Sequence, residues 1–242
     1  MNIPVLRGNI ARRILISFRA DPEVVQSQLP PPFRPKLQAG KAIVSICMIR
    51  LENIRPVCLS LPIGLSSENA AHRIAVLWED KEGNPQEGVF IPRRDTGSPL
   101  NHFLGGRLFP GQHQLASFQV CSNETNVDFH MKSHDAKVEI RVLGTVSPEF
   151  PSDSCFDSLA EASAFFEAGC LGYSVRCDSD RLDGMTLETK SWHVETLSVS
   201  EAYSSYYADE HHYPKGSLSF DHALFMRDIE HEWHAAKELA TV

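Results

Sequence analysis

Residues 42–51 read AIVSICMIRL, a run that is too apolar for a strand with one face in water. β-Branched residues, which favour strands, make up much of it: Ile43, Val44, Ile46 and Ile49. A Pro-, Gly- and Ser-rich segment follows at 54–66 and has the composition of a loop. We therefore predict a central strand over 42–51 that is buried on both faces.

Shorter strand patterns lie along the rest of the chain. The clearest alternation is in 136–146, where Val138, Ile140 and Val142 share one face and Glu139 and Arg141 share the other. A turn-like segment at 80–86 joins two strands as a hairpin. The predicted strands are 11–18, 72–79, 87–91, 115–121, 126–132, 171–177, 185–199 and 217–226.

Helix signals are few. Asp21 and Pro22 start a helix over 22–29, Ser98 starts one over 98–109, and a third is predicted over 157–168, where Gly169 stops it. The tail 229–239 has helical spacing, but whether 220–239 ends as strand or helix stays open. Many strands and few helices predict an α+β fold around an antiparallel sheet, with residues 1–242 in a single domain.

Composition excludes several classes of protein. The formal net charge is −8 and the arginines are scattered, so nucleic-acid binding is not expected. The six cysteines form no C-x-x-C pair and none lies in a nucleophile motif, so we predict reduced thiols in a cytoplasmic protein. Neither a signal peptide nor a long apolar segment is present, so no membrane partner is expected.

No metal or other cofactor is predicted. Five histidines lie near the C-terminus, but His231 and His234 are spaced i, i+3 rather than the i, i+4 that suits metal binding on a helix. A zinc site needs three convergent ligands, and the sequence shows no such set. A metal-dependent lyase that uses these histidines is therefore only a third hypothesis.

Three segments in order resemble one known family. Residues 18–23 (FRADPE) with 29–33 (LPPPF), then 104–110 (LGGRLFP), then 200–203 (SEAY) with 216–223 (GSLSFDHA), are similar to motifs of the acetoacetate-decarboxylase-like superfamily. The resemblance spans most of the chain. It implies a cone-shaped, mostly antiparallel β-barrel with an interior pocket and two or three peripheral helices.

The chain departs from that family at the residue that carries its chemistry. The family uses a lysine of lowered pKa to form a Schiff base, but here no lysine lies between Lys81 and Lys132. His113 or Gln114 takes the place of that lysine, depending on alignment. The sequence is therefore identified as an uncharacterised branch that lacks the Schiff-base lysine, and decarboxylation through an imine is not expected.

The resemblance brings Arg107 and His113 to the pocket wall. An arginine fork there suits a carboxylate, and His113 or Glu201 is the candidate for proton transfer. The alternative is that Arg107 caps the preceding helix and that His113 lies on an exposed loop. Arg94 is a candidate second anion contact, whereas the alternative for residues 93–95 is a locally paired charged turn.

Arg73 and Glu79 share one strand face with apolar residues and are further candidates for contact with a substrate. The same face could equally lie in water. The function predicted is a barrel that binds a small organic acid or ketone, with a lysine-independent lyase left open. The alternative is a non-catalytic ligand-binding protein or a homodimeric scaffold, and a homo-oligomer is consistent with either hypothesis.

Overall fold

The computed structural model describes residues 4–58, 64–107, 109–176 and 181–241. Within them the helices are α1 (Pro22–Gln26), α2 (Pro99–Leu104) and α3 (Leu159–Ala168). The strands are β1 (Leu6–Ala20), β2 (Arg34–Pro35), β3 (Leu37–Gln38), β4 (Lys41–Pro56), β5 (Leu65–Glu79), β6 (Pro85–Thr96), β7 (His113–Ser122), β8 (Asn126–Ser133), β9 (Glu139–Ser147), β10 (Leu171–Val175), β11 (Arg181–Thr189), β12 (Glu195–Ser204), β13 (Leu218–Ala235) and β14 (Leu239–Ala240).

The strands close into a mixed β-barrel, which confirms the predicted α+β barrel. Nine strands form it: β1, β4, β5, β6, β7, β8, β9, β12 and β13. The pairings of β6 with β7 and with β10 are parallel, and the other pairings are antiparallel. We call this closed set the nine-strand ring.

The sheet divides at two strands and closes a second ring. The first half of β6 pairs with β10 and its second half with β7, while β13 pairs with β12 and then with β11. The second ring thus consists of β1, β4, β5, β6, β10, β11 and β13, and we call it the seven-strand ring. The strands β13, β1, β4, β5 and β6 form a wall that both rings share.

Alternate residues of the shared wall point into different rings, because successive side chains of a strand point to opposite faces. On β4, Met48 belongs to the main core cluster inside the nine-strand ring, and Cys47 faces the seven-strand ring. The predicted burial on both faces is therefore confirmed for residues 42–48 and for Leu51, whereas Ile49 and Arg50 are half-buried.

Helix α3 closes one end of the seven-strand ring. Its Ala162 and Phe166 pack with Phe156 against Leu15 of β1 and Ala75 of β5. Burial of these side chains is what holds this short helix against the sheet, because an isolated helix of ten residues is marginal in water. The end of the helix, at Gly169 and Cys170, reaches the interior of the ring.

The helical spacing of the tail was a wrong indicator. Strand β13 continues through Ala235, and Ile229, His231 and Trp233 alternate with Glu230 and Glu232. The apolar period of two is interrupted by the histidine, so the sequence pattern resembles a helix. Strand β13 pairs with β1 along one edge and with β11 along the other. The backbone hydrogen bonds of these pairings stabilise a strand here instead of a helix.

Other segments also differ from prediction, and the helices predicted over 22–29 and 98–109 end earlier, at Gln26 and Leu104. The predicted loop at 54–66 is shorter, since β4 extends to Pro56 and β5 starts at Leu65, and residues 59–63 lie outside the described part of the chain. The single predicted strand 185–199 is two strands, β11 and β12. No helix in the described ranges has the length and apolarity needed to cross a bilayer.

Candidate functional site

A cavity of about 390 Å³ lies inside the seven-strand ring. This volume is within the range of small-molecule sites. Among the described residues, apolar side chains form most of its wall. They are Leu6, Ile49, Leu51, Ile54, Leu65, Val89, Ile91, Leu104, Phe109, Met185, Leu187 and Trp233.

One row of residues crosses the cavity side of the shared wall. Leu15 of β1 is opposite Cys47 of β4, Cys47 is opposite Ala71 of β5, and Ala71 is opposite Arg94 of β6. Residues directly opposite each other point to the same face of a sheet. The small side chain of Ala71 leaves the space between Cys47 and Arg94 open to the cavity.

Two more arginines lie diagonally on either side of Cys47. Arg13 is opposite Ile49, two residues further along β4, and Arg73 is opposite Ser45, two residues earlier. A step of two residues preserves the face, so both guanidinium groups belong to the same side as the thiol. Diagonal neighbours of this kind are within reach of long side chains. The sheet register alone therefore gathers three arginines around one cysteine.

The hydrogen bonds of these arginines are incomplete. Arg73 Nη2 donates to the carbonyl of Gly169 at 3.3 Å, and Arg94 Nε donates to Ser174 Oγ at 3.1 Å. Arg13 is 4% exposed, yet its Nε and Nη1 have no partner, and the same is true of Arg73 Nε. Buried donors without partners are rare in folded proteins, so an unfilled acceptor position is indicated.

Electrostatics in the cavity are one-sided. Burial lowers the pKa of Arg73, and burial together with the charge of Arg73 lowers the pKa of Arg94 to about 10. Asp95 is the one carboxylate among the described lining residues, and both of its oxygens accept hydrogen bonds from Arg93 on another side. Within the described chain, no carboxylate forms an ion pair with Arg13, Arg73 or Arg94.

A bulge in β6 turns Arg94 toward the cavity. His72 pairs with Arg93 and Ile74 pairs with Phe90, so two residues of β6 lie between these pairs where β5 has one. The extra residue reverses the faces of β6 beyond that point. Arg94 consequently faces the cavity and its neighbour Arg93 does not. Arg93 pairs locally with Asp95, as one alternative for residues 93–95 predicted, but these residues lie within strand β6 and do not form a turn. The anion contact of Arg94 stays a prediction.

His113 lies at the start of β7, opposite Arg94, and is part of the cavity wall. Its Nδ1 is 3.2 Å from the carbonyl oxygen of Gly111, a distance at which a protonated Nδ1 donates to that oxygen. Burial and the charge of Arg94 lower the pKa of His113 to about 3. The imidazole is therefore neutral near pH 7.

The other candidate residues lie elsewhere among the described residues. Arg107 is exposed, donates to the carbonyl of Phe103 at 2.6 Å and covers the ring of Phe103, as a cap of α2 does. Glu79 is exposed at the end of β5. Glu201 lies on β12, outside the seven-strand ring, within electrostatic reach of Arg141. Of the residues singled out in the sequence, the cavity brings together Arg73, Arg94 and His113.

Sequence reasoning missed Arg13 and Cys47 as site residues. The available signal was a charged residue inside the buried strand 11–18, because a buried strand has no ordinary place for an unpaired arginine. Cys47 gives no such signal, since free cysteine is a common core residue.

No metal centre appears in the described part of the chain, where no three His, Cys, Asp or Glu side chains converge. His231 and His234 lie on strand β13, where an i, i+3 pair points to opposite faces. His234 instead lies 3.3 Å from Glu232 and 3.5 Å from Glu188. No lysine occurs among the described residues that line the cavity.

This barrel with an interior cavity defines the protein as acetoacetate-decarboxylase-like in fold. The crystal structure of acetoacetate decarboxylase from Legionella pneumophila subsp. pneumophila str. Philadelphia 1 matches with a TM-score of 0.65 at 14% identity, over 99% of this chain and 90% of that one. The enduracididine biosynthesis enzyme MppR, complexed with the condensation product of pyruvate and imidazole 4-carboxaldehyde, matches with a TM-score of 0.64 at 12% identity, over 100% and 91%.

A third solved structure is an acetoacetate decarboxylase-like enzyme from Sphingomonas wittichii RW1, with a TM-score of 0.62 at 12% identity over 99% of this chain and 94% of that one. At these identities the likeness concerns the fold alone. Residues 9–218 match the DUF2071 family, described as an uncharacterized conserved protein, and the chain belongs to that family. No curated protein sequence matches it significantly.

Proposed function

We propose that the protein binds a small organic acid in the seven-strand ring, with the carboxylate held by Arg13, Arg73 and Arg94. The observation that carries the proposal is the buried guanidinium of Arg13, which has two donors without partners and no facing carboxylate among the described residues. A ligand carboxylate supplies the missing charge and the missing acceptors. The planar fork of arginine suits both carboxylate oxygens.

The rest of the acid would be apolar. Aliphatic and aromatic side chains line the cavity away from the arginines, with Met185, Leu187 and Trp233 on the strands that complete the ring. Burial of apolar ligand surface there adds to affinity, while the arginines fix the orientation. The MppR complex holds a condensation product of pyruvate, and this supports an organic acid as the ligand class.

A thermal-shift screen of short carboxylic acids against their neutral amides tests this function. An acid present at about 100 times its dissociation constant adds about 2.7 kcal/mol to the free energy of unfolding. For a domain of this size that is a rise of about 5–10 °C in Tm. Amides of the same size give little or no rise. If no acid raises the Tm more than its amide, the proposed function is wrong.

The variant Arg13→Gln provides the matching test. Loss of the charge removes at least one charge-assisted hydrogen bond, so the affinity for the best acid falls by about tenfold or more. Arg107→Gln is the control, because that side chain is exposed and contacts Phe103 instead of the cavity. Equal losses in the two variants would show that the effect is not specific to the cavity.

Turnover of the acid is a separate question. His113 is the histidine in the described part of the cavity wall, but its low pKa makes it a weak base. Binding without turnover is therefore the function that the geometry supports best. Proton NMR of the best acid during incubation with the protein would reveal any product.

Five described cysteines are free, in keeping with our proposal of a reducing, cytoplasmic location.

A further inference from the structure

Cys47 lies at the centre of the arginine cluster. It occupies the middle strand of three, with Arg13 diagonal on β1 and Arg73 diagonal on β5, and it is part of the cavity wall. The thiol is a free cysteine. Packing alone does not require a thiol between two charged arginines at this position, because an aliphatic side chain would fill the same space.

The neighbouring donors point to a ligand at this thiol. Arg13 and Arg73 are both more than nine-tenths buried, and both line the cavity with donors that have no partner. An anionic group that satisfies these donors is held beside the sulfur. The atom bonded to that group would then lie next to Cys47, since the sulfur sits between the two guanidinium groups in the register of the sheet.

We propose that Cys47 is a nucleophile that bonds reversibly to an acid whose electrophilic carbon is attached directly to the carboxylate, as in an α-oxo acid. The inference rests on the proposed function, because the arginines must first hold the carboxylate. It goes further in naming the class of acid and the atom of the protein that reacts with it.

The electrostatic surroundings favour this chemistry. Burial alone would raise the pKa of the Cys47 thiol, but the charges of Arg13 and Arg73 outweigh it and hold the pKa below its usual value. Cys170, also in the cavity wall, has a raised pKa because burial prevails there. The thiolate is the nucleophilic form of cysteine, so the two cavity thiols differ in reactivity.

The reaction is an addition and needs no oxidant. The Cys47 sulfur forms a bond to the carbonyl carbon, and the π-electron pair of that carbonyl moves to its oxygen. The proton released from the thiol ends on the same oxygen, so the product is a thiohemiketal. The reverse reaction restores the thiol and the α-oxo acid.

Iodoacetate and iodoacetamide test the inference in the full folded chain. The two probes differ little in size, and iodoacetate has its reactive carbon directly attached to a carboxylate. The thiolate forms a bond to that carbon and iodide leaves with its electron pair. The rate at each cysteine is followed by peptide mass spectrometry after quenching, with Cys58 and Cys121 as exposed internal controls.

We expect the ratio of the iodoacetate rate to the iodoacetamide rate to be about tenfold higher at Cys47 than at Cys58 or Cys121, since one charge-assisted hydrogen bond contributes about that much. Arg13→Gln lowers the ratio at Cys47 toward that of the exposed thiols, and Arg13→Lys, which keeps the charge, retains part of it. Equal ratios at all three cysteines, or no labelling of Cys47 by either probe, would overturn the inference.

A binding experiment separates this inference from the proposed function. Cys47→Ser should weaken the binding of an α-oxo acid about tenfold more than that of the α-hydroxy acid of equal length, because only the α-oxo acid has a carbonyl carbon that accepts the sulfur. Equal effects on both acids would contradict a covalent role. If neither acid binds the wild-type protein while another carboxylic acid does, this inference fails and the proposed function stands. If no carboxylic acid binds, the proposed function itself fails.

Discussion

Arg13 works against the stability of the empty barrel. A buried guanidinium with two unpaired donors destabilises the folded state. Its contacts among the described residues include the Cys47 thiol and the Trp192 ring, whose centre is 5.4 Å from the guanidinium. Such a residue makes physical sense when a bound anion completes its surroundings. Arg13 is therefore expected to lower the stability of the protein without ligand and to raise its affinity for the ligand.

The variant Arg13→Met tests this opposition. Methionine keeps the apolar length of the side chain and removes the unpaired charge, so the free energy of unfolding should rise by about 1–3 kcal/mol while acid binding is lost. Urea denaturation without ligand measures the change. Arg107→Met, on the surface, should stay within about 0.5 kcal/mol of the wild type. A less stable Arg13→Met would mean that the arginine holds the fold.

A second charged residue, Asp221, stabilises the fold by its hydrogen bonds. Its carboxylate accepts from Ser154 Oγ at 2.6 Å, from the backbone N–H of Cys155 at 2.9 Å and from His222 Nδ1 at 2.6 Å. Burial alone would raise the pKa of Asp221, but these hydrogen bonds lower it to about 2. This cluster connects β13 to the segment before α3.

The pH dependence of stability follows from that lowered pKa. The folded pKa of Asp221 lies below the unfolded value, so its contribution is complete above about pH 5 and is lost as the pH falls toward 2. The shift corresponds to about 2 kcal/mol. Asp221→Asn should lose about this much stability at pH 7, and between pH 7 and pH 3 it should lose less stability than the wild type does, as urea titrations at the two pH values would measure. Parallel losses in both proteins would contradict this assignment.

Sequence could indicate only part of this site. Arg73, Arg94 and His113 were candidates because their residue types suit an anion or a proton. Arg13 and Cys47 were not, because their role comes from the pairing of β1, β4 and β5, which no local pattern contains. The bulge that directs Arg94 inward also depends on strand pairing.

At the scale of elements, the sequence predicts the start of α3 more reliably than the secondary structure of the C-terminal tail. Ser158 Oγ accepts from the backbone N–H of Glu161 at 3.2 Å, and Glu161 in turn accepts from the N–H of Asp157 at 2.7 Å. Gln38 of β3 donates to the same glutamate at 2.9 Å. These local bonds are encoded in the sequence, whereas the tail adopted a strand because β1 and β11 pair with it.

Removal of the cap should loosen α3. Ser158→Ala leaves the N–H of Glu161 without its acceptor and lowers the free energy of unfolding by about 1 kcal/mol. Ser158→Asp, which restores an acceptor at the N-terminus, should recover most of that loss. Urea denaturation at pH 7 compares the three proteins. Equal stability of Ser158→Ala and the wild type would show that packing alone fixes the helix.

For the whole molecule, the shared wall is the structural centre. Strands β1 and β4 pair with each other over most of their length, and their middle residues are buried on both faces. The hairpin β7–β8 belongs to the nine-strand ring alone, and β7 has many exposed positions. The two parts of the sheet therefore differ in protection from solvent.

Hydrogen exchange should reveal that difference. Backbone amides in the middle of β1 and β4 exchange through the largest opening of the molecule, so they should be slower than those of β7 by about tenfold or more. Mass spectrometry of peptic fragments can follow both regions in one experiment. Equally slow exchange in β7 would mean that the sheet opens as one unit.

Alternate residues of the shared wall also have separate roles within one stretch of chain, since one set lines the cavity and the other forms the core. Ile49 and Asn69 face the cavity, while Met48 and Ile74 lie in the main core cluster. A gene library that randomises only the cavity-facing codons of β4 and β5 would thus sample new ligand preferences on an unchanged scaffold. Because cavity-facing and core residues alternate along these strands, selection can change the residues that contact a ligand without changing those that hold the fold.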